Sequence, residues 1–199
     1  MYLNDGISLF LNLKPIPSTC WFCLKYIWST FKMKTLILVR HAKSSWKNIS
    51  LDDFDRPLNK RGKKDAQLMG KKLKERQVVP DLILSSPAKR ARKTAKAFAK
   101  AIAFPKKKIV FNYKMYHSST KYLFKMVRNM DDKHKTIMLF GHNLEFNDFA
   151  DRLLKKNPVY NIVTSGVYCI KFNVDHWQQI QKKKGEAVFY DYPKQYATE

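Results

Sequence analysis

The chain has few of the residues that hold small secreted or zinc-binding proteins together. Its 199 residues include three cysteines, too few for a framework of disulfide bonds. Cys20 and Cys23 form one C-x-x-C pair, but a structural zinc site of this kind needs a second pair, which the sequence lacks. A reducing compartment, and therefore the cytoplasm, is the expected location.

The sequence also has no uninterrupted apolar run long enough to cross a membrane. Its aromatic stretch WFCLKYIWSTF, at 21–31, is interrupted by polar residues, and no basic start of a signal peptide precedes it. We therefore expect no membrane span, a poorly ordered N-terminal extension at 1–32, and one domain at 33–199 that starts at Met33. A membrane-surface or partner-binding role for the aromatic stretch is the alternative.

Acidic residues are scarce as well. The 16 Asp and Glu face 39 Lys and Arg, which gives a formal net charge of +23 and a field that attracts anions. The lysines are scattered, and runs such as KRGKK (60–64) are typical of solvated helix faces. Nucleic-acid binding would favour arginines interleaved with aromatics on one face, so nucleic acid is not the expected partner. A basic module that binds nucleic acid or an acidic protein remains an alternative.

Short apolar runs alternate with helical patterns from Met33 onward, and the first four runs are almost continuously apolar, as in strands covered on both faces. One helix is expected to end near Arg76, and another to begin with Ser86 as its N-cap and Pro87 at its first position. This alternation predicts an α/β fold, a three-layer sandwich with a mainly parallel central sheet flanked by helices. The predicted strands are 35–39, 81–84, 108–112, 136–140, 166–172 and 187–192, and two further helices are predicted near 119–130 and 143–155.

Three polar clusters directly follow predicted strands. Arg40 and His41 follow the first strand, SSPAKR (85–90) the second, and GHN (141–143) the fourth. Because ligands of parallel α/β sheets bind at the carboxyl ends of the strands, we expect two histidines and two arginines at one edge. Arginine matches phosphate oxygens in bidentate geometry, and a neutral imidazole is a nucleophile toward phosphorus. The residues therefore predict phosphoryl transfer to a histidine.

VRHA, followed by SSPAKRARKTA and FGHN, resembles the histidine phosphatase superfamily, whose signature is Arg-His-Gly. Within it, the chain is similar to the small phosphohistidine phosphatases of the SixA type, and RPLNKRG (56–62), TSGVYCIKF (164–172) and FYDYPKQY (189–196) are further matches. The resemblance covers residues 33 to about 196 and implies a phosphoglycerate-mutase-like fold. It also implies an enzyme without a metal or other cofactor.

The resemblance implies a role for each matching residue. His41 would be the phosphorylated nucleophile, Arg40 and Arg90 would hold the phosphoryl oxygens, and His142 would stabilise the transition state. Ser44 would contact the phosphate. The partner that the resemblance implies for the protein is a phosphorylated protein, such as a histidine phosphotransfer domain in signal transduction, or a small phosphoester.

The chain departs from the larger members of the family at NYKMYHSST (112–120), where they carry a carboxylic acid that protonates the leaving group. Ala42 also replaces the signature glycine. An alkoxide, with a pKa of about 15, needs such an acid, whereas imidazole, with a conjugate-acid pKa of about 6.5, needs less help. The sequence thus favours phosphohistidine as substrate, and the alternative is a broad or small-metabolite phosphomonoesterase. Residues that could donate the proton in place of the missing acid are His117, Asp52, Asp53, Asp55 and Glu145.

Overall fold

The computed structural model describes residues 33–156 and 161–196. These residues form a six-stranded sheet with strands β1 (Lys34–Arg40), β2 (Leu82–Ser85), β3 (Val110–Phe111), β4 (Thr136–Gly141), β5 (Val167–Phe172) and β6 (Glu186–Asp191). The order in the sheet is β3-β2-β4-β1-β5-β6. Strands β1 to β4 run parallel, β5 is antiparallel to β1, and β6 is antiparallel to β5, so β6 has the same direction as β1. The predicted α/β fold with a mainly parallel sheet is confirmed.

Helices cover both faces of the sheet. The side chains of β1 point alternately into two apolar clusters, one on each face. Leu36 and Leu38 pack on one side and Ile37 and Val39 on the other, all at most 1% exposed. The helices are α1 (Lys60–Glu75), α2 (Lys89–Ala101), α3 (Thr120–Arg128) and α4 (Glu145–Leu153). The first side is covered by α3 and α4, and the second by α1 and α2.

The expectation for the third strand is corrected by the structure. We predicted a strand at 108–112 that is covered on both faces, but β3 has two residues, and Val110 and Phe111 are 46% and 36% exposed. The physical reason is its position at the edge of the sheet, where it pairs with β2 alone. An apolar run in the sequence does not distinguish an edge strand from a central one.

The start of α2 also differs from the prediction. The helix begins at Lys89 with Ala88 in the N-cap position, and no side chain caps it. Ser86 is therefore not the N-cap. Its hydroxyl oxygen lies 2.8 Å from His142 Nε2 at the polar edge of the sheet, and it also accepts a hydrogen bond from the Ala88 amide at 3.4 Å.

The start of α1 holds the chain segment that follows β1. The side chain of Asn59 caps the helix by accepting a hydrogen bond from the Gly62 amide at 2.7 Å. The Asn59 amide in turn donates to the Lys43 carbonyl oxygen at 3.0 Å. Residue 62 has to be glycine here, because a Cβ atom would lie 2.1 Å from that same carbonyl oxygen. The RPLNKRG motif thus fixes the backbone two residues after His41.

The expected N-terminal extension, residues 1–32, lies outside the described residues, and so do Cys20 and Cys23. Cys169, on β5, is a buried free cysteine. Within residues 33–156 and 161–196, no helix is long and apolar enough to cross a membrane.

Candidate active site

The polar clusters that follow β1, β2 and β4 meet at one edge of the sheet. The amide of His41 donates to the Gly141 carbonyl oxygen at 3.0 Å, and the amide of Ser86 donates to the Phe140 carbonyl oxygen at 2.9 Å. These bonds continue the parallel pairing beyond the last ladder residues. Neighbouring parallel strands therefore bring three distant chain segments to one place, as the sequence predicted.

His41 is held so that one ring nitrogen faces the site. Its Nδ1 lies 2.9 Å from the Ala42 carbonyl oxygen, which can only accept, so Nδ1 carries the proton and donates. Its Nε2 therefore has a lone pair, and Arg90 Nε donates to it at 3.2 Å. Burial lowers the pKa of His41 to about 4, and the Arg90 and Arg40 cations contribute to the shift. At neutral pH His41 is an uncharged imidazole with Nε2 available as a nucleophile.

His142 lies beside His41, with the two ring centroids 5.1 Å apart. Its Nε2 is 2.8 Å from the hydroxyl oxygen of Ser86. Burial, with smaller contributions from His41 and Arg90, lowers the pKa of His142 to about 2. Its Nδ1 is buried and has no hydrogen-bond partner among the described residues. The second imidazole is thus neutral and has one polar atom left to bind a ligand.

Arg90 connects His41 to a carboxylate. It lies in the first turn of α2, and its side chain is 7% exposed. Its Nη2 donates to Asp53 Oδ2 at 2.8 Å, and its Nη1 donates to the Asp53 carbonyl oxygen at 2.5 Å. Asp53 belongs to a short 3₁₀ turn, Asp53–Asp55. One guanidinium group therefore contacts the candidate nucleophile and a carboxylate at once.

The carboxylate of Asp53 binds two further side chains that the sequence analysis did not assign to the site. Arg56 Nη1 donates to Asp53 Oδ1 at 2.8 Å, and the Tyr116 hydroxyl donates to Asp53 Oδ2 at 2.9 Å. Burial raises the pKa of Asp53, but the bonds from Tyr116 and Arg90 outweigh it and lower the pKa to about 2. Asp53 is therefore an anion at neutral pH, matched by two arginines. Arg56 lies within RPLNKRG, a motif that the sequence analysis noted without assigning this residue a role.

Arg40 and Ser44 lie at the border of this site. Arg40 Nη1 donates to the Ile162 carbonyl oxygen at 2.8 Å, and Arg40 Nε is buried without a partner in the described part of the chain. Ser44 is 7% exposed, and its hydroxyl oxygen accepts from Arg56 Nη2 at 2.8 Å. Ser44 is thus joined to the site through Arg56. The proposed contact of Ser44 with phosphate stays a prediction.

The candidate proton donors differ in their position and in their protonation state. Asp53 reaches the site but is ionised, as its pKa of about 2 requires. Tyr116, in the segment where we noted the missing carboxylate, places its ring centroid 5.6 Å from that of His142. Burial and the Asp53 carboxylate raise the pKa of Tyr116, so its hydroxyl keeps its proton. His117 is exposed, and its ring is tilted by 55° against that of Tyr116 at a centroid distance of 4.1 Å.

Ala42, in the place of the signature glycine, is fully buried. Its amide donates to Thr94 Oγ1 at 3.0 Å, and its methyl group packs in the apolar cluster beneath α1 and α2. The methyl group therefore faces the core. Throughout the described residues, no group of three or more His, Cys, Asp or Glu side chains could hold a metal ion.

Residues 36–109 match the model of the histidine phosphatase superfamily, branch 1. The matched segment runs from β1 to the turn before β3, and it contains His41 and Arg90. The order of the motifs, the sheet and the paired imidazoles agree with this match. Residues 36–109 are therefore similar to the histidine phosphatase superfamily, and a solved SixA structure extends the similarity in fold to 80% of the chain.

Within this superfamily, the solved structure of the SixA protein of Agrobacterium tumefaciens has the same fold. It superimposes with a TM-score of 0.70 at 25% identity, and the match covers 80% of this chain and 98% of that one. An uncharacterized chloroplastic protein of Arabidopsis thaliana is 36% identical over 133 residues, which is 63% of this chain and 61% of that protein. Phosphoglycerate mutase 1 of Saccharomyces cerevisiae is 40% identical over 65 residues, 32% of this chain and 26% of the mutase. The chain thus spans less than two thirds of the length of these two curated relatives.

Proposed function

We propose that the protein is a metal-independent phosphatase that removes phosphate from protein phosphohistidine by way of a covalent phosphohistidine on His41. The observation that carries the proposal is the state of the His41 ring. Its Nδ1 is engaged by the Ala42 carbonyl group, and its Nε2 lone pair faces the Arg90 guanidinium at 3.2 Å. An oriented neutral imidazole beside a fixed cation suits attack on an anionic phosphoryl group.

The reaction has two steps. In the first, the His41 Nε2 lone pair forms a bond to phosphorus while the bond from phosphorus to the substrate imidazole breaks. The electron pair of that bond leaves with the substrate imidazole, which departs as a neutral ring because its other nitrogen has first taken up a proton from solvent. In the second step, a water oxygen attacks phosphorus, the bond to His41 breaks and its electron pair returns to Nε2. The proton lost by the water ends on the phosphate product.

Buried donors of the site would stabilise the charge that develops on the phosphoryl oxygens. Arg90 is already aimed at His41 Nε2. Arg40 Nε and His142 Nδ1 are buried without hydrogen-bond partners among the described residues. A buried polar atom without a hydrogen-bond partner destabilises the fold. A phosphoryl oxygen would accept a hydrogen bond from Arg40 Nε. It would also accept one from His142 Nδ1 when that nitrogen carries the ring proton. Prepositioned donors of this kind supply the stabilisation that a metal ion supplies in other phosphatases.

The ionised state of Asp53 supports phosphohistidine as the substrate. With a pKa of about 2, Asp53 holds no proton to give to a leaving alkoxide at neutral pH. A departing imidazole needs less assistance, because its conjugate acid has a pKa of about 6.5. The phosphorylated partner that fits this chemistry is a protein with a phosphorylated histidine, such as a histidine phosphotransfer domain.

One observation favours the alternative, a phosphomonoesterase that acts on small metabolites. The Tyr116 hydroxyl keeps its proton and lies 2.9 Å from Asp53 Oδ2, beside the Arg90 guanidinium. A phenol so placed has a proton that it can donate to a leaving oxygen. If it does so, phosphoesters are turned over as well.

The test compares substrates and two histidine variants. Purified protein is assayed on a phosphohistidine-bearing domain and on a panel of phosphoesters, with rapid quenching to trap a phosphorylated enzyme. We expect turnover of phosphohistidine, an acid-labile phosphate on His41, and loss of both in His41→Gln. His134→Gln, two residues before β4 and therefore at the opposite edge of the sheet, is the matched control and should keep activity. A label on another residue, or full activity of His41→Gln, contradicts the proposal.

A further inference from the structure

A basic groove lies on the sheet face that carries α3 and α4. It has a volume of about 530 Å³ and runs between α3, the end of α4 and the 3₁₀ turn Trp177–Gln179. No carboxylate lines it within the described residues. Its five cationic lining residues are Lys121, Lys125, Arg128, Arg152 and Lys182.

These five cations are not neutralised by any acidic side chain in the part of the chain that the structure describes. In residues 33–156 and 161–196 none of them forms an ion pair. Asp151, the neighbour of Arg152 on α4, is already bound by Lys183. Arg128 Nε donates to the Gln178 carbonyl oxygen at 2.7 Å, which fixes one guanidinium in the groove. Like charges gathered in a concave surface focus the field and attract an anionic partner.

The described residues of the groove offer no open platform on which a nucleic-acid base could stack. Phe124 is the one aromatic among them. Its ring packs edge-to-face against Phe149 at a centroid distance of 6.3 Å, and the Arg128 guanidinium lies 6.0 Å from its centroid. Single-stranded nucleic acids bind through aromatic faces that are open to bases. An acidic polypeptide, which needs cations and a partly apolar floor, fits this surface better.

The groove begins next to the candidate active site. The N-cap of α3, Ser119, follows Tyr116 by three residues, and the Tyr116 ring lies 5.6 Å from that of His142. The nine residues of α3 span about 13 Å at 1.5 Å per residue. Lys121 is therefore at the end near the site, and Arg128 is at the far end. A chain whose phosphorylated histidine entered the site would have flanking residues within reach of the groove.

We propose that this groove binds an acidic segment of the phosphorylated protein substrate and so selects phosphoproteins with acidic residues near the phosphohistidine. The inference rests on the proposed function, because it assumes that a protein phosphohistidine enters the neighbouring site. Two observations support this inference: the five cations have no ion-pair partner among the described residues, and their groove begins next to the candidate active site.

The experiment uses two synthetic peptides with one histidine, phosphorylated by phosphoramidate. One carries glutamates on both sides of the histidine, and the other has glutamines in their place. We expect kcat/KM to be about tenfold higher for the glutamate peptide, with the advantage falling as salt is added. The double variant Lys121→Glu/Lys125→Glu should remove this advantage while hydrolysing phosphoramidate at the wild-type rate.

The matched control is Lys96→Glu/Lys100→Glu. These two lysines have the same i, i+4 spacing, are exposed and lie at the end of α2, on the opposite face of the sheet. The control makes the same change in net charge and should keep the preference for glutamate. Equal kcat/KM values for the two peptides in the wild-type protein, or equal losses in both double variants, overturn the proposal.

Binding measurements separate this proposal from the proposed function. The unphosphorylated glutamate peptide, labelled with a fluorophore, should bind the wild-type protein and the control but not Lys121→Glu/Lys125→Glu. If no phosphohistidine substrate is hydrolysed but this binding pattern holds, the proposed function fails and the acidic-segment site stands. If a mixed-sequence oligonucleotide binds the groove more tightly than the peptide, the occupant is nucleic acid and the proposal is wrong.

Discussion

Replacing Asp53 with asparagine should strengthen the binding of phosphoryl groups. The Asp53 carboxylate accepts hydrogen bonds from Arg56 and Arg90 at 2.8 Å each, so it occupies donors of the site with a negative charge of the protein. The Nη2 atom of Arg90 that binds Asp53 is on the same guanidinium as the Nε atom that faces His41. A phosphoryl group on His41 Nε2 and the carboxylate therefore compete for one arginine.

The size of the effect follows from the distances. His41 Nε2 is 3.2 Å from Arg90 Nε, and Arg90 Nη2 is 2.8 Å from Asp53 Oδ2. The phosphoryl group and the carboxylate would thus bind one guanidinium group, and we take their charges to be about 5 Å apart, as for two anions on neighbouring guanidinium nitrogens. At that distance one pair of unit charges repels by about 0.8 kcal/mol in water and about 3 kcal/mol at an effective dielectric constant near 20. The Asp53 side chain is 44% exposed, so a value toward the lower end, about 1.4 kcal/mol or tenfold, is expected.

The assay measures KM for a phosphohistidine substrate and the inhibition constant for inorganic phosphate. In Asp53→Asn both should fall about tenfold, while kcat changes by less than about threefold, because the amide oxygen still accepts one bond from an arginine. Asp55→Asn is the control. It removes the same charge from the same 3₁₀ turn, and the Asp55 side chain forms no ion pair in the described residues. It should leave both constants close to the wild-type values.

A different outcome would refute this reasoning. If Asp53→Asn lowers kcat by a hundredfold or more and leaves KM unchanged, Asp53 takes part in the chemical step, for instance as a proton donor. If both asparagine variants change the inhibition constant equally, the effect is one of net charge, and competition at Arg90 is wrong.

Three other predictions concern metals, pH and the N-terminal residues. Activity should persist in excess EDTA; loss on chelation that a divalent ion restores would contradict the metal-independent mechanism. With a His41 pKa of about 4, kcat/KM should stay level as pH falls from 7 and drop below about pH 4, where the protonated ring has no lone pair; a fall centred near pH 6.5 would mean that burial does not shift this group. A chain of residues 33–199 should be as active as the full chain and melt at the same temperature, because the backbone bonds of β1 run to β4 and β5; a drop above about 5 °C, roughly 2 kcal/mol, would make residues 1–32 a structural part.

The sequence determined the part of the site that strands position. The run from Leu36 to Val39 is apolar at every residue, so it predicts a strand buried on both faces, and the structure confirms it. Once the strands are parallel, the residues that follow them have to meet at one edge. His41, Arg90 and His142 could therefore be brought together without knowledge of any loop.

The tertiary structure alone decided which side chains complete the site. Asp53, Arg56 and Tyr116 lie on segments outside the sheet, and their contacts depend on loop paths that no periodic pattern encodes. Ser86 shows the same limit, because the N-cap preference of serine is a local tendency of about 1 kcal/mol. In the fold its hydroxyl lies 2.8 Å from Nε2 of the buried His142 ring, a contact with a distant segment that the local preference does not encode. Local preferences are weak beside the cost of leaving buried polar atoms unpaired, and that cost is known only when the distant segments have come together.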